Sequence, residues 1–326
     1  MIKKFEKTLL DRLRVALILL VVIGHATRMF SPMGVFSERI PVDPILSLIT
    51  KVIYSFHMPL FVMISGYVYG ICVQKSKDYM SFYPVVRKKI LRLLVPYLFW
   101  GISFVAPIMI ALSITKLSYL EFVRSGILLS LDSRQLWYLA ALFLIFLLVH
   151  GGRLVLGYLK VYNKIPLAVK CLVFIIVAFL LRYLPLPACF QISNAIYYLP
   201  YFIGGYFIKR ADLNSVLDRI LLLVGVIIIC YSLGLIGSIS IVVFCSLLCL
   251  LKIERLPFFN VVKTFGMGIY ILHPMMLYVI YYYYPSMTNS YYTILYTIGS
   301  VLIVMWVSIL VCKLIKRFKL SFLLGE

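Results

Sequence analysis

Residues 11–30, DRLRVALILLVVIGHATRMF, form an apolar segment with an arginine near its start and a histidine within it. An α-helix turns about 100° and rises about 1.5 Å per residue, so Arg14 and His25 lie on nearly one face, roughly 16 Å apart along the axis. One helix face therefore carries a cation near the membrane surface and a titratable base near mid-bilayer. Ionisable groups at that depth are costly and usually face a bundle interior or a wet cavity, which makes His25 the first functional candidate.

Both residues also have a structural interpretation. Arg14 is explained equally well as a positive-inside anchor at the end of a helix. A neutral His25 that is hydrogen-bonded to a neighbouring helix would only stabilise helix packing. The pair alone leaves the functional and the structural interpretations open.

The composition is that of a polytopic integral membrane protein. Hydrophobic residues make up 63% of the chain, charged residues 13%, and the mean hydropathy is +1.05. This pattern predicts an all-α protein with about ten transmembrane helices. The predicted spans lie near 15–31, 53–73, 93–114, 136–150, 167–184, 195–208, 219–233, 235–251, 265–283 and 292–312.

The net charge of +21 indicates membrane topology and not a nucleic-acid partner. If the amino terminus is cytoplasmic and the spans alternate, most of the 32 Lys and Arg residues lie in inner segments. The positive-inside rule predicts this bias for an even number of spans. We therefore expect both termini to be cytoplasmic, and we expect no nucleic acid among the partners.

Other spans contain further polar or small residues. Ser65 and Gly66 interrupt the second span, and small residues at such a position typically let helices approach closely. His57, near the outer end of the same span, fits an interfacial residue with a solvated tip. Pro200 and the glycines after it interrupt the sixth span, which predicts a broken helix lining a cavity. His273 lies inside the ninth span, and a second intramembrane histidine strengthens the functional interpretation of the first.

A basic cluster follows the second span, with Arg87, Lys88, Lys89 and Arg92 at helical spacing. Such a surface can hold phosphates through several charge-assisted hydrogen bonds. Topological anchoring explains each residue on its own equally well. The cluster as a whole is more indicative of an anion than its members are.

The ionisable residues favour one kind of chemistry. All eleven carboxylates lie outside the span centres, which weakens an ion-coupled transport mechanism. The sequence has no P-loop, zinc-protease or nucleophile-elbow motif, and its cysteines lack metal-site spacing, so we expect no metal. The remaining histidines, hydroxyls and inner basic groups suit a general base that serves an anionic cofactor entering from the cytoplasm.

Several motifs together resemble those of a known family. Arg14 and His25 form an R-x10-H pair, and later segments read FHMPLFVMISGY, RLLVPYLFW, LWYL, LPYFIGGYF and GIYILHP. This set resembles the acyltransferase-3 family of bacterial membrane acyltransferases, and most closely its sugar O-acetyltransferase branch. The resemblance implies one membrane domain over residues 1–326, without the appended SGNH-type domain of some members. It also implies a multi-pass protein of the bacterial cytoplasmic (inner) membrane, in contact with membrane lipid.

The resemblance also implies substrates and site residues. The expected donor is acetyl-CoA or a related acyl-CoA, and the expected acceptor is a sugar hydroxyl of a surface polysaccharide or its lipid-linked precursor. His25 is the expected catalytic residue and Arg14 its essential cationic partner. The predicted cofactor-binding residues are Arg14, Arg87, Lys88 and Arg92. The predicted substrate-binding residues are Ser65, Trp137 and His273.

The expected mechanism starts from His25. This residue would take the proton of the acceptor hydroxyl as that hydroxyl attacks the thioester, or would itself carry the acetyl group transiently. Without a carboxylate in the span centres, the group that orients His25 is expected to be a hydroxyl, a backbone carbonyl or an acid of the outer segment 116–137. The alternative functions are a carrier or flippase for a glycan precursor, or a non-catalytic component of glycan assembly.

Overall fold

The computed structural model describes residues 2–159, 163–285 and 290–326, and this part of the chain is helical throughout, without a β-strand. Six of its helical runs are long and apolar enough to cross a membrane. These runs are Pro44–Lys75, Phe82–Ala111, Arg134–Gly157, Val216–Leu250, Phe259–Tyr283 and Tyr292–Arg317. The structure therefore confirms an all-α chain of multi-pass character, while the count of ten spans and the side of each terminus stay predictions.

The α-helices follow one another along the chain with short connections. They are α1 (Ile2–Arg28), α2 (Pro44–Lys75), α3 (Phe82–Lys89), α4 (Val95–Trp100), α5 (Ala106–Ala111), α6 (Tyr119–Glu121), α7 (Trp137–Gly157), α8 (Leu167–Leu181), α9 (Ile192–Arg210), α10 (Val216–Leu250), α11 (Phe259–Tyr283) and α12 (Ser290–Arg317). π-helical turns at Ile90–Leu94 and Gly101–Val105 join α3, α4 and α5 into one run, and a third follows α6 at Phe122–Leu128.

The chain divides into two compact units. Unit 1 consists of Met1–His57, Phe99–Val123 and Ile239–Glu326, and unit 2 of Met58–Leu98 and Arg124–Ser238. Each unit therefore combines segments that are distant in the sequence.

In unit 1, α1 packs against α11 through an apolar stripe. Val15 and Val22 are two turns apart on α1 and form a buried cluster with Val262 and Ile269 of α11. Gly266 of α11 permits close contact, because a Cβ atom there would lie 2.3 Å from Cδ1 of Ile18. This packing brings the middle of α11 against the face of α1 that carries His25.

In unit 2, α2 and α9 touch through their backbones. A Cβ atom at Gly66 would lie 1.9 Å from the carbonyl oxygen of Phe202, and one at Gly205 would lie 1.9 Å from that of Met63. No side chain fits at either position unless the helices separate. The structure thus confirms the packing interpretation of Gly66.

The prediction of a broken helix around Pro200 is wrong. The chain forms one continuous helix, α9, with Pro200 inside it and with residues 200–207 buried. A proline removes a single helical hydrogen bond, and buried helices tolerate that loss when neighbouring groups surround the site. Gly205 serves the contact with α2 and not an interruption of the helix.

α10 bends sharply at Gly234, which has a left-handed φ of 70°. The Ser238 hydroxyl donates to the carbonyl of Cys230 over 3.0 Å. In a straight helix, residues eight positions apart are separated by about 12 Å along the axis, so the chain must turn at this point. The bend lies where the sequence analysis places the boundary between the spans 219–233 and 235–251.

The close crossing of α2 and α9 makes the two glycines indispensable. We expect Gly66→Ala and Gly205→Ala each to destabilise the protein by about 1–3 kcal/mol or more, because each new methyl group meets a backbone oxygen that cannot move alone. Thermal unfolding of the detergent-purified protein measures this loss.

Gly152→Ala is the matched control for these variants. Gly152 lies in a helix of the same unit, and a Cβ atom there would meet nothing within 4 Å. This variant should be as stable as the wild type or slightly more so, because alanine favours the helix by about 0.5–1 kcal/mol over glycine. Equal unfolding temperatures for Gly66→Ala and Gly152→Ala would contradict the packing described for unit 2.

Candidate active site

Unit 1 brings His25 of α1 against His273 of α11. The centroids of the two imidazole rings are 5.0 Å apart, and their planes are inclined by 69°. His273 is completely buried, and its Nδ1 lies 2.8 Å from the carbonyl oxygen of Ile269, one turn earlier in the same helix. Because a carbonyl oxygen can only accept, Nδ1 of His273 carries the proton and its Nε2 presents a lone pair.

Each ring of this pair has a buried nitrogen without a hydrogen bond. Nδ1 of His25 and Nε2 of His273 have no partner among the described residues. An unsatisfied buried polar atom costs about 1–3 kcal/mol and is uncommon in native proteins. Two such atoms lie on adjacent rings here, so the contact between the helices leaves both ring nitrogens available for a hydrogen bond.

Two residues of α2 extend the cluster. The ring of Tyr54 lies 5.9 Å from that of His25 and 4.9 Å from that of His57, measured between centroids. Gly24 leaves room for this approach, because a Cβ atom there would be 3.1 Å from Cε2 of Tyr54. His57 is buried and its Nδ1 donates to the carbonyl of Ile53 over 2.7 Å, so the expectation of a solvated tip is wrong.

Arg28 adds a positive charge one turn beyond His25 on α1. Its guanidinium carbon lies 5.7 Å from the centre of the Tyr54 ring, and its Nε donates to the carbonyl of Met33 over 3.3 Å. Arg28 and Tyr54 were not among the site residues predicted from the sequence. Helical spacing was the available signal: Arg28 is three residues after His25, and Tyr54 is three residues before His57.

Two neighbouring arginines in the middle of α1 differ in their partners. Arg12 forms an ion pair with Glu254 and donates to the carbonyl of Leu248 over 3.3 Å. The hydrogen bond from Arg12 lowers the pKa of the Glu254 carboxyl. Asp11 pairs with Lys263 over 2.6 Å. Arg14 is exposed, and no ion pair involves it in the described part of the chain, so its guanidinium group is accessible to an anion.

Unit 2 exposes the predicted basic residues on a short helix. Arg87 and Lys88 are exposed near the end of α3, and Arg92 is exposed in the π-helical turn that follows. The Lys89 side chain, in contrast to these three, packs on an aromatic ring, because its Nζ lies 3.5 Å from the centre of the Phe146 ring. Of this cluster, the arginines and Lys88 are therefore accessible, while Lys89 contributes to packing.

A buried network fixes the start of α3 in unit 2. His150 of α7 is completely buried, and its Nε2 donates to the carbonyl of Ser81 over 3.0 Å. Its Nδ1 therefore accepts from the Tyr69 hydroxyl, also over 3.0 Å. Arg153 donates to the same hydroxyl and to the carbonyl of Tyr79. The sequence analysis did not identify this network, which positions the basic residues through the backbone.

Ser65 and Trp137, predicted to bind substrate, meet around Tyr138 in unit 2. The Ser65 hydroxyl donates to the carbonyl of Phe61 over 3.0 Å and lies 3.3 Å from the Tyr138 hydroxyl. The Trp137 ring lies 6.1 Å from that of Tyr138 and 5.2 Å from that of Tyr198. Both residues are half-buried. The structure thus groups hydroxyls with partly accessible aromatic rings at this point of the unit.

The predicted site residues are divided between the two units. Unit 1 contains Arg14, His25 and His273, and unit 2 contains Ser65, Arg87, Lys88, Arg92 and Trp137. The structure brings His25 and His273 into contact, with Arg14 eleven residues before His25 on the same helix. The functional assignments of all these residues stay predictions.

Comparison with known proteins identifies one family. The acyltransferase-3 model, described as an acyltransferase domain, matches residues 8–313, which is nearly the whole chain. No curated protein and no solved structure matches the chain. The matched segment includes every predicted site residue.

Arg12 and Arg14, in the middle of α1, allow a matched test of anion binding. We expect Arg14→Ala to weaken the binding of CoA by about 10- to 100-fold, because one charge-assisted hydrogen bond contributes about 1.5–3 kcal/mol. Binding of radiolabelled CoA to the purified protein measures the dissociation constant.

Arg12→Gln serves as the control, since it removes an equal charge two residues away. Because Arg12 is held by Glu254 and the Leu248 carbonyl, its loss should lower the unfolding temperature and leave the CoA dissociation constant nearly unchanged. If both variants weakened CoA binding equally, Arg14 would contribute only general positive charge.

Proposed function

Because the chain belongs to the acyltransferase-3 family, we propose that this membrane acyltransferase moves an acetyl group from acetyl-CoA to a sugar hydroxyl. The proposed acceptor is a surface polysaccharide or its lipid-linked precursor, and the proposed location is a bacterial cytoplasmic membrane. The contact between His25 and His273 is the observation that carries this proposal. It places the His25 ring, for which the described residues show no hydrogen bond, inside an apolar helix bundle, where the imidazole is available as a general base for an alcohol.

The donor is assigned to the face of α1 that carries Arg14. Arg14 is exposed at the start of the apolar part of the helix, and His25 lies roughly 16 Å further along the axis. This separation is comparable to the reach of a CoA pantetheine arm. A phosphate held by Arg14 would therefore place the thioester near His25, and an arginine suits this task because its planar group binds phosphate in two-point geometry.

In the transfer step, His25 carries out both proton transfers between the two substrates. Its unprotonated ring nitrogen takes the proton of the sugar hydroxyl while that oxygen forms a bond to the thioester carbon. The carbon–sulfur bond then breaks, and the same nitrogen returns the proton to the departing CoA sulfur. The products are the acetylated sugar and free CoA, with no net change in the enzyme.

Arg28 and Tyr54 are suited to the negative charge that develops on the carbonyl oxygen. Both lie next to His25 in unit 1, and both can donate hydrogen bonds. Donors aimed at a developing oxyanion in a low-dielectric site usually contribute more than any other single effect to catalysis. Arg28, one turn after His25 on α1, would thereby contribute to the reaction and not only to the charge of the outer loop.

The acceptor assignment rests on the residues around Tyr138. Trp137 and Tyr198 present aromatic rings, and Ser65 and Tyr138 present hydroxyls. A sugar has weakly polar ring faces and a rim of hydroxyls, so a combination of aromatic surface and hydroxyl groups suits it. The prediction that Arg87, Lys88 and Arg92 contact the cofactor is retained as part of the proposal.

The proposal is tested by acetyl transfer in reconstituted vesicles. Purified protein is given acetyl-CoA with a radiolabelled acetyl group, together with a glycan extract of the source cells, and both free CoA and labelled glycan are measured. We expect acceptor-dependent transfer by the wild type and a loss of about 100- to 10,000-fold in His25→Ala, the range typical for removal of a general base.

The control is a His25→Ala sample that retains the unfolding temperature of the wild type, which separates lost chemistry from lost folding. If the wild-type protein released no CoA with any fraction of the extract, the acyltransferase proposal would be wrong. Movement of the labelled glycan precursor across the vesicle membrane would then favour a carrier.

A further inference from the structure

His25 needs a group that holds its ring in the reactive orientation. From the sequence, a hydroxyl, a backbone carbonyl or an outer acid is expected for this task. The structure instead places a second imidazole there, since the His273 ring is 5.0 Å from that of His25. We propose that His273 is the positioning residue for His25, with its Nε2 accepting a hydrogen bond from Nδ1–H of His25. This inference rests on the proposed function and assigns His273 a different task from substrate binding.

The two unpartnered nitrogens match each other as donor and acceptor. Nε2 of His273 must present a lone pair, because Nδ1 already donates to the Ile269 carbonyl. Nδ1 of His25 is buried beside this ring and has no other partner among the residues that the structure describes. Ring centroids at 5.0 Å are close enough for two nitrogens that point at each other to reach about 2.9 Å. A rotation of the His25 ring would therefore satisfy both atoms at once.

This hydrogen bond would decide which nitrogen of His25 acts as the base. A histidine with its proton held on Nδ1 presents the lone pair on Nε2. Nε2 would then take the hydroxyl proton and pass it to the CoA sulfur, while His273 remains neutral and chemically unchanged. The arrangement follows the general pattern in which the base is itself oriented by a third group.

A neutral partner suits this depth in the protein. A carboxylate would orient an imidazole equally well, but it would place a full negative charge in an apolar interior, which is costly. All eleven carboxylates lie outside the span centres. The backbone bond to Ile269 fixes the His273 ring without any further ionic group.

His57 provides a matched control within unit 1. It is buried like His273, and its Nδ1 donates in the same way to the carbonyl four residues earlier. The centroid of its ring lies 4.9 Å from that of Tyr54. Among the described residues, the rings in contact with His25 are those of Tyr54 and His273, and not that of His57. Replacing His57 therefore imposes the same structural loss without removing the partner of the base.

The experiment compares His273→Ala, His273→Gln and His57→Gln in the vesicle acetyl-transfer assay. His273→Ala should lower kcat by about 10- to 100-fold, as loss of the hydrogen-bond partner of a metal-bound histidine does, while KM for acetyl-CoA and for the glycan changes less than about threefold. The amide oxygen of His273→Gln can accept from Nδ1–H, so this variant should recover most of the lost kcat. His57→Gln should lower kcat less than His273→Ala does, because it disturbs the neighbour of Tyr54 but leaves the partner of the base in place.

Each other outcome contradicts the inference in a distinguishable way. A wild-type kcat in His273→Ala would remove the positioning role, and a raised glycan KM with unchanged kcat would instead support substrate binding. Equal losses in His273→Gln and His273→Ala would indicate a purely structural residue. Absence of CoA release by the wild type would overturn the proposed function itself.

A spectroscopic measurement covers the case in which the variants fail to fold. In wild-type protein with ¹⁵N-labelled histidine, the Nδ1 resonance of His25 should have the chemical shift of a protonated, hydrogen-bonded nitrogen. The Nε2 resonance should have the chemical shift of an unprotonated nitrogen. The opposite tautomer at His25 would overturn the inference without any variant of His273. Assignment of the His25 signals uses the spectrum of His25→Ala.

Discussion

The contact between α1 and α11 is the interaction on which the site depends. Because Gly266 has no side chain, Ile18 of α1 can approach α11 closely at this position. Val15, Val22 and Ile269 pack together in the same buried interface. Backbones at this distance allow short-range dispersion contacts, which stabilise helix pairs where lipid offers no hydrophobic driving force. His25 and His273 come into contact because this packing brings their two helices close together.

The buried histidines satisfy their polar atoms mainly with backbone carbonyls, which allows them to lie in an apolar interior. His57 and His273 each satisfy one ring nitrogen with a carbonyl of their own helix, so their orientation does not require a charged partner. His150 uses both nitrogens in hydrogen bonds and fixes the loop before α3. His25 alone among these four residues lacks a recorded hydrogen bond in the described structure, and its freedom distinguishes the reactive candidate from the structural histidines.

Local sequence spacing accounted for much of the architecture but not for its exceptions. Apolar length and small residues correctly indicated an all-helical membrane chain and the close helix contact at Gly66. The prediction failed at Pro200, because helix continuity there depends on the residues that surround α9 and not on the proline itself. It also failed at His57, because a position near the end of a span does not reveal which neighbours cover it.

The sequence by itself determined the family, the apolar helices and the spacing of Arg14 and His25 on one face of α1, since each of these follows from residues close together in the chain. Only the tertiary structure decided that His273 stands beside His25, that Tyr54 and Arg28 adjoin them, and that Arg12 is held by Glu254 while Arg14 is accessible. Helical periodicity tells which side chains share a face but carries no information about which face of another helix meets it. That choice is made by side-chain shape and close packing among segments that are remote in the chain.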